Sequence, residues 1–255
     1  MSVSDSPRRT AIVTGGARGI GQACAVRLAQ AGHDVAVVDL IDATEAADAV
    51  RAAGGRSLTV RCDVSIPDDI THAFAAVDRE FGGCDVLVNN AGIFPRRSFA
   101  ELDLDLWHRV LDVNLTATFL FCKAVVPGMT EREFGRIINI SSDTVGLPVE
   151  NVAHYITSKS AIIGFIRALA SEIGKHGITV NSVAPGLTPT AGLLANQPNP
   201  AVGEQLFAGI VERQPIKRIS QPTDVAAAVA WFASDEAGFI TAQTLVVDGG
   251  LVRLG

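Results

Sequence analysis

Seven short apolar runs, separated by segments with helical patterns, constrain the fold of this chain more than any other feature of its sequence. Strands that are apolar on both faces and alternate with helices are typical of a parallel sheet covered on two sides. The sequence therefore predicts a single α/β domain over residues 1–255, with a doubly wound parallel sheet of about seven strands and helices on both faces. The predicted strands lie at 11–15, 34–40, 57–64, 84–90, 136–142, 178–185 and 244–250.

Composition and charge agree with this fold class and argue against two kinds of partner. A chain of 255 residues that is 48% hydrophobic can bury a core of this size. Its net charge of −6, without a long basic cluster, argues against nucleic-acid binding. We find no apolar leader and no uninterrupted apolar run of about 18 residues that would indicate a membrane span. We expect a cytoplasmic protein whose residues 1–8 are flexible.

The four cysteines indicate neither a disulfide framework nor a metal site. They form no C-x-x-C pair, and each lies within an apolar run, which is typical of reduced, buried packing residues. No local Cys/His spacing suits a metal ion, so we predict none. The cysteines are Cys24, Cys62, Cys84 and Cys122.

A glycine-rich turn, TGGARGIG, follows the first predicted strand and opens a helical pattern. Gly15, Gly19 and Gly21 permit a tight turn and a close approach of the backbone to a pyrophosphate at a helix amino terminus. The glycine spacing differs from the commonest dinucleotide fingerprint, but the position in the first strand-turn-helix unit is the one that such a site requires. Arg18 and Ile20, in the same turn, are predicted cofactor contacts.

Asp39 ends the second strand, near the position where an acidic residue meets the ribose hydroxyls of a dinucleotide. Its carboxylate would repel a 2′-phosphate, which favours NAD over NADP. Arg18 argues the other way, because a guanidinium near the ribose can pair with that phosphate. Asp39 lies at the strand end itself, so we expect NAD, with Leu40 beside it in the site.

Tyr155 and Lys159 stand four residues apart in HYITSKSAIIGF, and Tyr155 is the single tyrosine of the chain. On a helix they share a face, so the ammonium can approach the phenol. Taken alone, the spacing often arises by chance. The surrounding motifs decide its meaning.

These motifs follow one another in the order typical of the short-chain dehydrogenase/reductase family. The chain resembles that family over nearly its whole length, and a softer likeness points to its NAD-dependent 1-phenylethanol dehydrogenase branch. The resemblance implies a Rossmann-like fold and interconversion of an alcohol and a ketone by hydride transfer. The motifs are TGGARGIG, DV at 63–64, NNAG at 89–92, DVNL around Asn114, Ser142, YITSK and PG at 185–186.

The resemblance also implies a role for individual residues. Tyr155 matches the catalytic acid/base, and Lys159 matches the lysine that lowers the tyrosine pKa and holds the nicotinamide ribose. Ser142 matches the substrate-orienting serine, and Asn114 matches the asparagine that positions a water in a proton relay. A turn-capping role for Ser142 and a purely structural network around Asn114 remain the alternatives.

Three further segments match cofactor contacts in the family. Asp63 and Val64 match the pair that touches adenine. Asn90, Ala91 and Gly92 match a segment that supports the sheet and runs beside the cofactor. The loop at the nicotinamide end is matched by Pro185, Gly186 and Thr188.

The substrate site is the least determined part of the sequence. The segment 186–213 is predicted to form a flap over it, with Leu187, Leu193 and Leu194 as apolar walls. Phe94 is predicted to lie in the pocket, whereas His154 is interpreted as a packing or pocket-wall residue. Asp143 is placed in the pocket as a contact to a polar substrate group, with turn capping as an equal alternative.

We therefore expect an NAD-dependent oxidoreductase acting on an apolar, aryl-substituted secondary alcohol or its ketone. An NADPH-dependent 3-oxoacyl-thioester reductase and a non-catalytic dinucleotide-binding regulator are the alternatives. Asp39 argues against the first, and the intact Asn-Ser-Tyr-Lys set argues against the second. The helical patterns at 103–127 and 152–174 resemble those through which the family forms homotetramers.

Overall fold

A computed structural model describes residues 8–190 and 200–252, with the side chains of residues 200–204 left out. Seven parallel strands form one sheet in the order β3-β2-β1-β4-β5-β6-β7. All seven predicted strands are present, which confirms the α/β fold with helices on both faces. The strands are β1 (Thr10–Thr14), β2 (Asp34–Asp39), β3 (Ser57–Arg61), β4 (Val86–Asn89), β5 (Gly135–Ile140), β6 (Ile178–Pro185) and β7 (Thr244–Val247).

Helices connect the strands. Parallel neighbours in a sheet need long crossover connections of this kind, because the chain must return to the same end of the sheet. In the described ranges the α-helices are α1 (Gly19–Gln30), α2 (Thr44–Ala52), α3 (Pro67–Phe81), α4 (Leu104–Leu111), α5 (Ala117–Glu131), α6 (Ala153–Ile173), α7 (Pro200–Arg213) and α8 (Pro222–Ala233).

Each face of the sheet is covered by its own apolar layer. One layer packs α1, α2 and α8 on the sheet, with Leu28, Val50 and Phe232 fully or almost fully buried. The opposite layer packs α3, α5 and α6, with Phe121 and Ile166 among its buried side chains. The central strands β1, β4 and β5 are buried along their whole length, whereas the edge strands β3 and β7 are partly exposed. Strand β6 is also fully buried, and β2 is buried except at Asp39, so the expectation of strands covered on both faces holds for the interior strands and fails at the two edge strands.

The strand order reverses direction between β1 and β4. From β1 the chain winds outward to β2 and β3, and then returns to β4 on the other side of β1. In such sheets a crevice opens outside the carboxyl ends of the strands at the reversal point. The glycine-rich turn after β1 and the NNAG segment at the end of β4 meet at this crevice.

The helical run Leu104–Glu131 is long and apolar enough, by length and composition alone, to cross a membrane. It lies against β4, β5, α3 and α6, and Phe121, Val125 and Met129 on its inner side are buried. A π-helical turn, Asp112–Thr116, interrupts it between α4 and α5. The buried Asn114 lies in this turn, where the sequence suggested an ordinary helix interior.

The predicted flexible end and flap lie only partly within the described residues. Residues 1–7 of the segment expected to be flexible lie outside the described residues, and Arg8 forms an ion pair with Asp34 at 3.3 Å. Within the predicted flap, 186–190 is irregular, 191–199 lies outside the described residues, and α7 occupies 200–213. All four cysteines are buried and free, as predicted.

We predict that Gly21→Ala destabilises the fold, because a Cβ at Gly21 would lie 2.1 Å from the carbonyl oxygen of Gly15. Relieving such an overlap costs about 1–3 kcal/mol. The free energy of unfolding, measured by denaturant titration, checks this expectation.

Gly209→Ala in α7 is the matched control. Apart from its chain neighbours and the backbone of its own helix, no heavy atom of the described residues lies within 4 Å of the position its Cβ would take. Alanine in an exposed helix interior should stabilise the protein by about 0.5–1 kcal/mol. Equal effects of the two substitutions would contradict the close approach at Gly21.

Candidate active site and cofactor cleft

A cleft of about 750 Å³ opens at the carboxyl ends of β1 to β4. Most of the residues predicted to contact a dinucleotide line it, although they come from four separate segments of the sequence. They are Gly15, Arg18, Gly19, Ile20, Asp39, Leu40, Asp63, Val64, Asn90, Ala91 and Gly92.

The glycine-rich turn packs too closely for side chains at its key positions. Gly15 has a φ of +62°, and a Cβ there would lie 2.9 Å from Cα of Ala91. Gly21 is buried beneath the turn, against the carbonyl oxygen of Gly15. The turn thus brings backbone N–H groups and the amino terminus of α1 to the cleft, which is the arrangement that binds a pyrophosphate.

A hydrogen-bond network holds the turn against the end of β4. The amide Nδ2 of Asn90 donates to the carbonyl oxygens of Thr14 at 3.0 Å and Gly15 at 2.9 Å. The Thr14 hydroxyl in turn accepts from the backbone N–H groups of Asn90 at 3.0 Å and Ala91 at 3.1 Å. The NNAG segment therefore supports the turn directly as well as lining the cleft.

Asp39 lies at the rim of the cleft with its carboxylate aimed at the turn. Its Oδ2 accepts from the backbone N–H of Ala17 at 2.9 Å, and its Oδ1 accepts from that of Ile41 at 3.2 Å. The side chain remains partly exposed, next to the exposed Arg18 and Leu40. Asp39 therefore both orders the glycine-rich turn and presents a carboxylate to the cleft.

Asp63 and Val64 follow β3 at the far end of the cleft. The Asp63 carboxylate accepts from the backbone N–H of Ser65 at 3.0 Å and from its hydroxyl at 2.6 Å. These hydrogen bonds lower the pKa of Asp63. Val64 is almost fully buried beside it and forms an apolar wall.

Lys159 is buried on the second turn of α6, one helical turn after Tyr155. Its Nζ lies 5.8 Å from the centroid of the Tyr155 ring and donates to the carbonyl oxygen of Ile140 at 2.6 Å. Burial lowers the pKa of Lys159 to about 8. A Cβ on Gly92 would lie 3.5 Å from this Nζ, so the ammonium adjoins the cofactor cleft.

Tyr155 is half-buried, and the ring of Phe94 packs edge-on against its ring with centroids 4.4 Å apart. Burial raises the pKa of Tyr155 to about 12, a hydrogen bond with Ser142 lowers it, and the charge of Asp143 raises it. The sequence led us to expect a lowered tyrosine pKa from the nearby ammonium. In the protein alone, desolvation of the phenolate is the larger effect and raises the pKa, so a lowered tyrosine pKa stays a prediction for the cofactor-bound enzyme.

Ser142 follows β5 and has the turn-capping contacts that the sequence offered as the alternative, whereas its substrate-orienting role stays a prediction. Its Oγ accepts from the backbone N–H of Thr144 at 3.2 Å and from the Thr144 hydroxyl at 2.9 Å, which caps the 3₁₀ turn Asp143–Gly146. The same oxygen is the hydrogen-bond partner of Tyr155 noted above. Asp143 itself is buried in this turn and does not line the described cleft.

Asn114 has a full set of amide partners in the π-helical turn. Its Oδ1 accepts from the backbone N–H of Ile93 at 2.8 Å, and its Nδ2 donates to the Ile93 carbonyl at 3.1 Å and to the Ser158 hydroxyl at 3.1 Å. A Cβ on Gly92 would lie 3.3 Å from its Oδ1. Asn114 therefore joins the NNAG segment to α6 close to Lys159.

The loop after β6 reaches the opposite wall of the cleft. The backbone N–H of Gly186 donates to the carbonyl oxygen of Val247 at 2.9 Å. The Thr188 hydroxyl donates to the Gly186 carbonyl at 3.0 Å and contacts the Ser220 hydroxyl at 3.1 Å. Thr190 lines the cleft near Gly19, and a Cβ on that glycine would lie 3.2 Å from the Thr190 methyl group.

The remaining residues that the sequence placed in or near the site, where the structure describes them, do not line the cleft. Pro185, Gly186 and Thr188 are outside the lining of the described cleft, as are Tyr155 and Lys159. Leu187 is partly exposed, and Leu193 and Leu194 lie outside the described residues. His154 is fully buried, and neither of its ring nitrogens has a hydrogen-bond partner among the described residues.

Sequence reasoning missed one wall of the cleft. The missed residues from α4 and the π-helical turn have the i, i+4 spacing of one helical face. With this helix placed beside β4, that spacing would have predicted a helical wall of the cleft. The missed lining residues are Ile41, Cys62, Ser65, Asp105, His108, Arg109, Asp112, Val113 and Thr190.

The arrangement fits a dinucleotide and gives no support for a metal ion. The glycine turn leaves room that a Cβ would fill, and acidic, apolar and amide groups line the cleft in succession from Asp39 to Asn90. Among residues 8–190 and 200–252, no group of three His, Cys, Asp or Glu side chains is placed to hold a metal ion.

Comparisons with known proteins agree with this arrangement. A family model described as enoyl-(acyl carrier protein) reductase matches residues 15–252. The short-chain reductase protein NovJ of Streptomyces niveus is 40% identical, over 97% of this chain and 95% of its own. The 3-oxoacyl-[acyl-carrier-protein] reductase FabG of Staphylococcus epidermidis is 36% identical, over 95% and 98%.

Two further relatives are, by their names, a cyclohexadienediol dehydrogenase and a levodione reductase. The 2,5-dichloro-2,5-cyclohexadiene-1,4-diol dehydrogenase of Sphingobium indicum is 38% identical, over 99% of this chain and 100% of its own. The crystal structure of levodione reductase superposes with a TM-score of 0.89 at 29% identity, over 94% and 96% of the two chains. From the fold, the Ser-Tyr-Lys geometry and these matches, we conclude that the chain is a member of the short-chain dehydrogenase/reductase family, whose members bind a nicotinamide dinucleotide and act as oxidoreductases.

Proposed function

We propose that this chain interconverts an apolar secondary alcohol, preferentially aryl-substituted, and its ketone with NAD as cofactor. The observation that carries the proposal is the convergence of Ser142, Tyr155 and Lys159 beside a cleft whose rim presents the Asp39 carboxylate. The first three residues suit proton transfer at a carbinol oxygen. Asp39 suits the hydroxyls of an unphosphorylated ribose.

Tyr155 is the proton-transfer group in this proposal. For ketone reduction its neutral phenol donates a proton to the carbonyl oxygen, and for alcohol oxidation its phenolate removes the hydroxyl proton. A bound nicotinamide would supply or accept the hydride. Because burial raises the pKa of Tyr155 to about 12, the protein alone favours the donor form.

Lys159 and Ser142 assist Tyr155 in different ways. Lys159 places a buried positive charge 5.8 Å from the phenol ring, which favours the phenolate that oxidation requires. The Ser142 hydroxyl can donate to the substrate oxygen as negative charge develops there. The Lys159 ammonium donates one hydrogen bond, to Ile140, and its remaining protons can serve a ribose hydroxyl at the Gly92 side of the cleft.

The preference for NAD rests on charge at the cleft rim. The Asp39 carboxylate is anchored by the backbone N–H groups of Ala17 and Ile41, so it cannot turn away from a 2′-phosphate without breaking the glycine-rich turn. Arg18 lies at the same rim and is exposed, so solvent weakens any pairing with that phosphate.

The proposed substrate follows from the apolar groups near Tyr155. Phe94 packs against the ring of Tyr155. Ile93 and Leu187, from the loops after β4 and β6, are partly exposed. Such walls reward buried apolar area at about 25 cal/mol per Å². A flat ring buries much area at little entropic cost, and it can stack on Phe94.

An NADPH-dependent 3-oxoacyl-thioester reductase is the second candidate. The FabG relatives favour it. Asp39 opposes the NADPH requirement, and the net charge of −6 gives no support for an acidic carrier-protein partner. A non-catalytic regulator is less well supported, because a binding protein has no use for the intact Asn-Ser-Tyr-Lys set.

We propose a cytoplasmic homotetramer, with small molecules as its other partners. Phe119 of α5 is 44% exposed and packs against Phe165 of α6 with ring centroids 6.3 Å apart. Trp231 of α8 is 40% exposed. These apolar groups lie on helices that suit subunit contacts.

We expect Tyr155→Phe to lower kcat by about 10²- to 10⁴-fold while leaving NAD affinity nearly unchanged, because the substitution removes the hydroxyl and keeps the ring. Lys159→Ala should impair both, since its ammonium serves the phenol and the ribose. Steady-state kinetics and calorimetric NAD titration measure the two effects. If Tyr155→Phe kept most of its rate, the proposed proton transfer would be wrong.

Wild-type protein should bind NAD more tightly than NADP, and Asp39→Asn should narrow the ratio of the two dissociation constants by about tenfold, or about 1.4 kcal/mol. Asparagine keeps an acceptor for the N–H of Ala17 and removes the charge, so it separates repulsion from loss of the turn. Arg18→Ala is the control and should weaken NADP binding selectively. Tighter NADP binding by the wild type would show that Arg18 dominates.

Among 1-phenylethanol, a short 2-alkanol, a sugar alcohol and, in reduction, an acetoacetyl thioester, we expect the highest kcat/KM for 1-phenylethanol. Phe94→Ala should cost about tenfold for the aryl substrate and less for the alkanol, because only the former stacks on the ring. Clear preference for the thioester would replace this assignment with the second candidate and leave the catalytic residues in place.

A further inference from the structure

Asp143 is a buried acid that the proposed reaction leaves without a role. It follows Ser142, and only 5% of its surface is exposed. The Ser142 hydroxyl donates a long hydrogen bond of 3.5 Å to its Oδ1. A carboxylate in such surroundings is normally paired with a cation.

A second buried acid, Asp248, lies across Gly186 from Asp143. A Cβ on Gly186 would lie 2.7 Å from Cβ of Asp248 and 3.5 Å from Oδ2 of Asp143, so the two side chains flank one residue of the nicotinamide-side loop. Asp248 uses both carboxylate oxygens to accept backbone N–H groups, from Gly250 at 2.8 Å, Leu251 at 3.1 Å and Val252 at 2.6 Å. These bonds hold the chain segment after β7.

The titratable groups that face Asp143 are acids. They are Asp248 from the loop after β7 and the phenol of Tyr155 from α6, and within the described part of the chain no cation pairs with Asp143. Burial, followed by the charge of Asp248, raises the pKa of Asp143 to about 7. This raised pKa favours the protonated carboxyl of Asp143 at pH values where an ordinary aspartate, with a pKa of 3.8, is ionised.

The Ser142 hydroxyl has one proton and three competing acceptors. Its oxygen already accepts from the N–H and hydroxyl of Thr144, so these contacts do not use its proton. That proton can go to Asp143, to the oxygen of Tyr155 or to the oxygen of a substrate. While Tyr155 is a neutral phenol, an ionised Asp143 carboxylate is the strongest of these acceptors, because charge-assisted hydrogen bonds are about twice as strong as neutral ones.

We propose that Asp143 is a positioning residue that sets the direction of the Ser142 hydroxyl: protonated Asp143 leaves the Ser142 proton to the substrate oxygen, and ionised Asp143 draws it away. The inference rests on the proposed function, because it assumes that Ser142 serves a carbonyl or carbinol oxygen. Ionisation of Asp143 releases one proton to solvent and changes no covalent bond in the substrate.

Ketone reduction is the reaction direction in which the effect of Asp143 ionisation on the rate has one sign. Ionised Asp143 raises the pKa of Tyr155, which opposes phenolate formation and complicates alcohol oxidation. In reduction Tyr155 acts as a neutral donor, so its raised pKa and the altered direction of the Ser142 proton both slow the reaction. The reduction rate should therefore fall as Asp143 loses its proton.

The first experiment measures protonation without any substrate. Difference infrared spectroscopy of the full chain should show a carboxylic C=O band that disappears as pH rises through about 7 and is absent from Asp143→Asn. Asp248→Asn should move this transition to lower pH by removing the like charge. Ser142→Ala should move it to higher pH, because the ionised form loses its hydrogen bond.

These outcomes test the pair independently of activity. An Asp143 transition near its ordinary pKa of 3.8, or one that Ser142→Ala leaves in place, would overturn the proposal. A protein that reduced none of the ketones but showed both transitions would instead count against the proposed function. The two failures are therefore distinguishable.

The second experiment compares kcat/KM for ketone reduction in wild type and Asp143→Asn across pH. The ratio of variant to wild type should be constant at low pH and rise by about tenfold one pH unit above the Asp143 transition, because about a tenth of the wild type then remains protonated. Loss of the Lys159 proton, with a pKa of about 8, affects both proteins and cancels in the ratio. A flat ratio would contradict coupling through Ser142.

Asp34→Asn provides the matched control for this profile. Asp34 is also a buried acid, but it lies at the amino end of β2, on the opposite edge of the sheet from Ser142. Its variant should keep the wild-type pH profile. A change equal to that of Asp143→Asn would indicate a general effect of altered stability.

Discussion

The close approach of the glycine-rich turn to the end of β4 is the constraint on which the rest of the structure depends. Gly15 and Gly21 leave no room for a Cβ, and Asn90 and Thr14 tie the two segments together through backbone and side-chain hydrogen bonds. This contact lies where the strand order reverses, so it fixes the crevice between the two halves of the sheet. The cofactor cleft and the Lys159 side chain next to Gly92 are positioned by it.

The active-site charges are governed by burial. Lys159 has a lowered pKa and Tyr155 a raised one, since each loses hydration and neither forms an ion pair. A site of this kind holds its groups in uncharged or easily discharged forms, which suits proton transfer between them. The buried Asp143 belongs to the same set, because its carboxyl also lies close to Ser142 without a countercharge.

Much of the site was predictable because helix and strand periodicity act over short distances. The four-residue spacing of Tyr155 and Lys159 places both on one helical face, and Asp39 follows directly from its position at a strand end. Prediction was incomplete where distant segments meet. The pKa of Tyr155 depends on packing against Phe94 and Ser142, which come from other elements, and the π-helical turn around Asn114 has no simple periodic signature.

The sequence by itself determined the parallel α/β sheet, the order of its elements, the glycine-rich turn and the identity of the Ser-Tyr-Lys group, because these depend on local patterning and on motif order. Only the tertiary structure decided which side chains line the far wall of the cleft, as Arg109 and Val113 do, and which buried acids face each other across Gly186. Asp143 and Asp248 are separated by more than a hundred residues in sequence. Their proximity arises because β5, β6 and β7 are neighbours and parallel, which brings their carboxyl ends to one edge of the sheet.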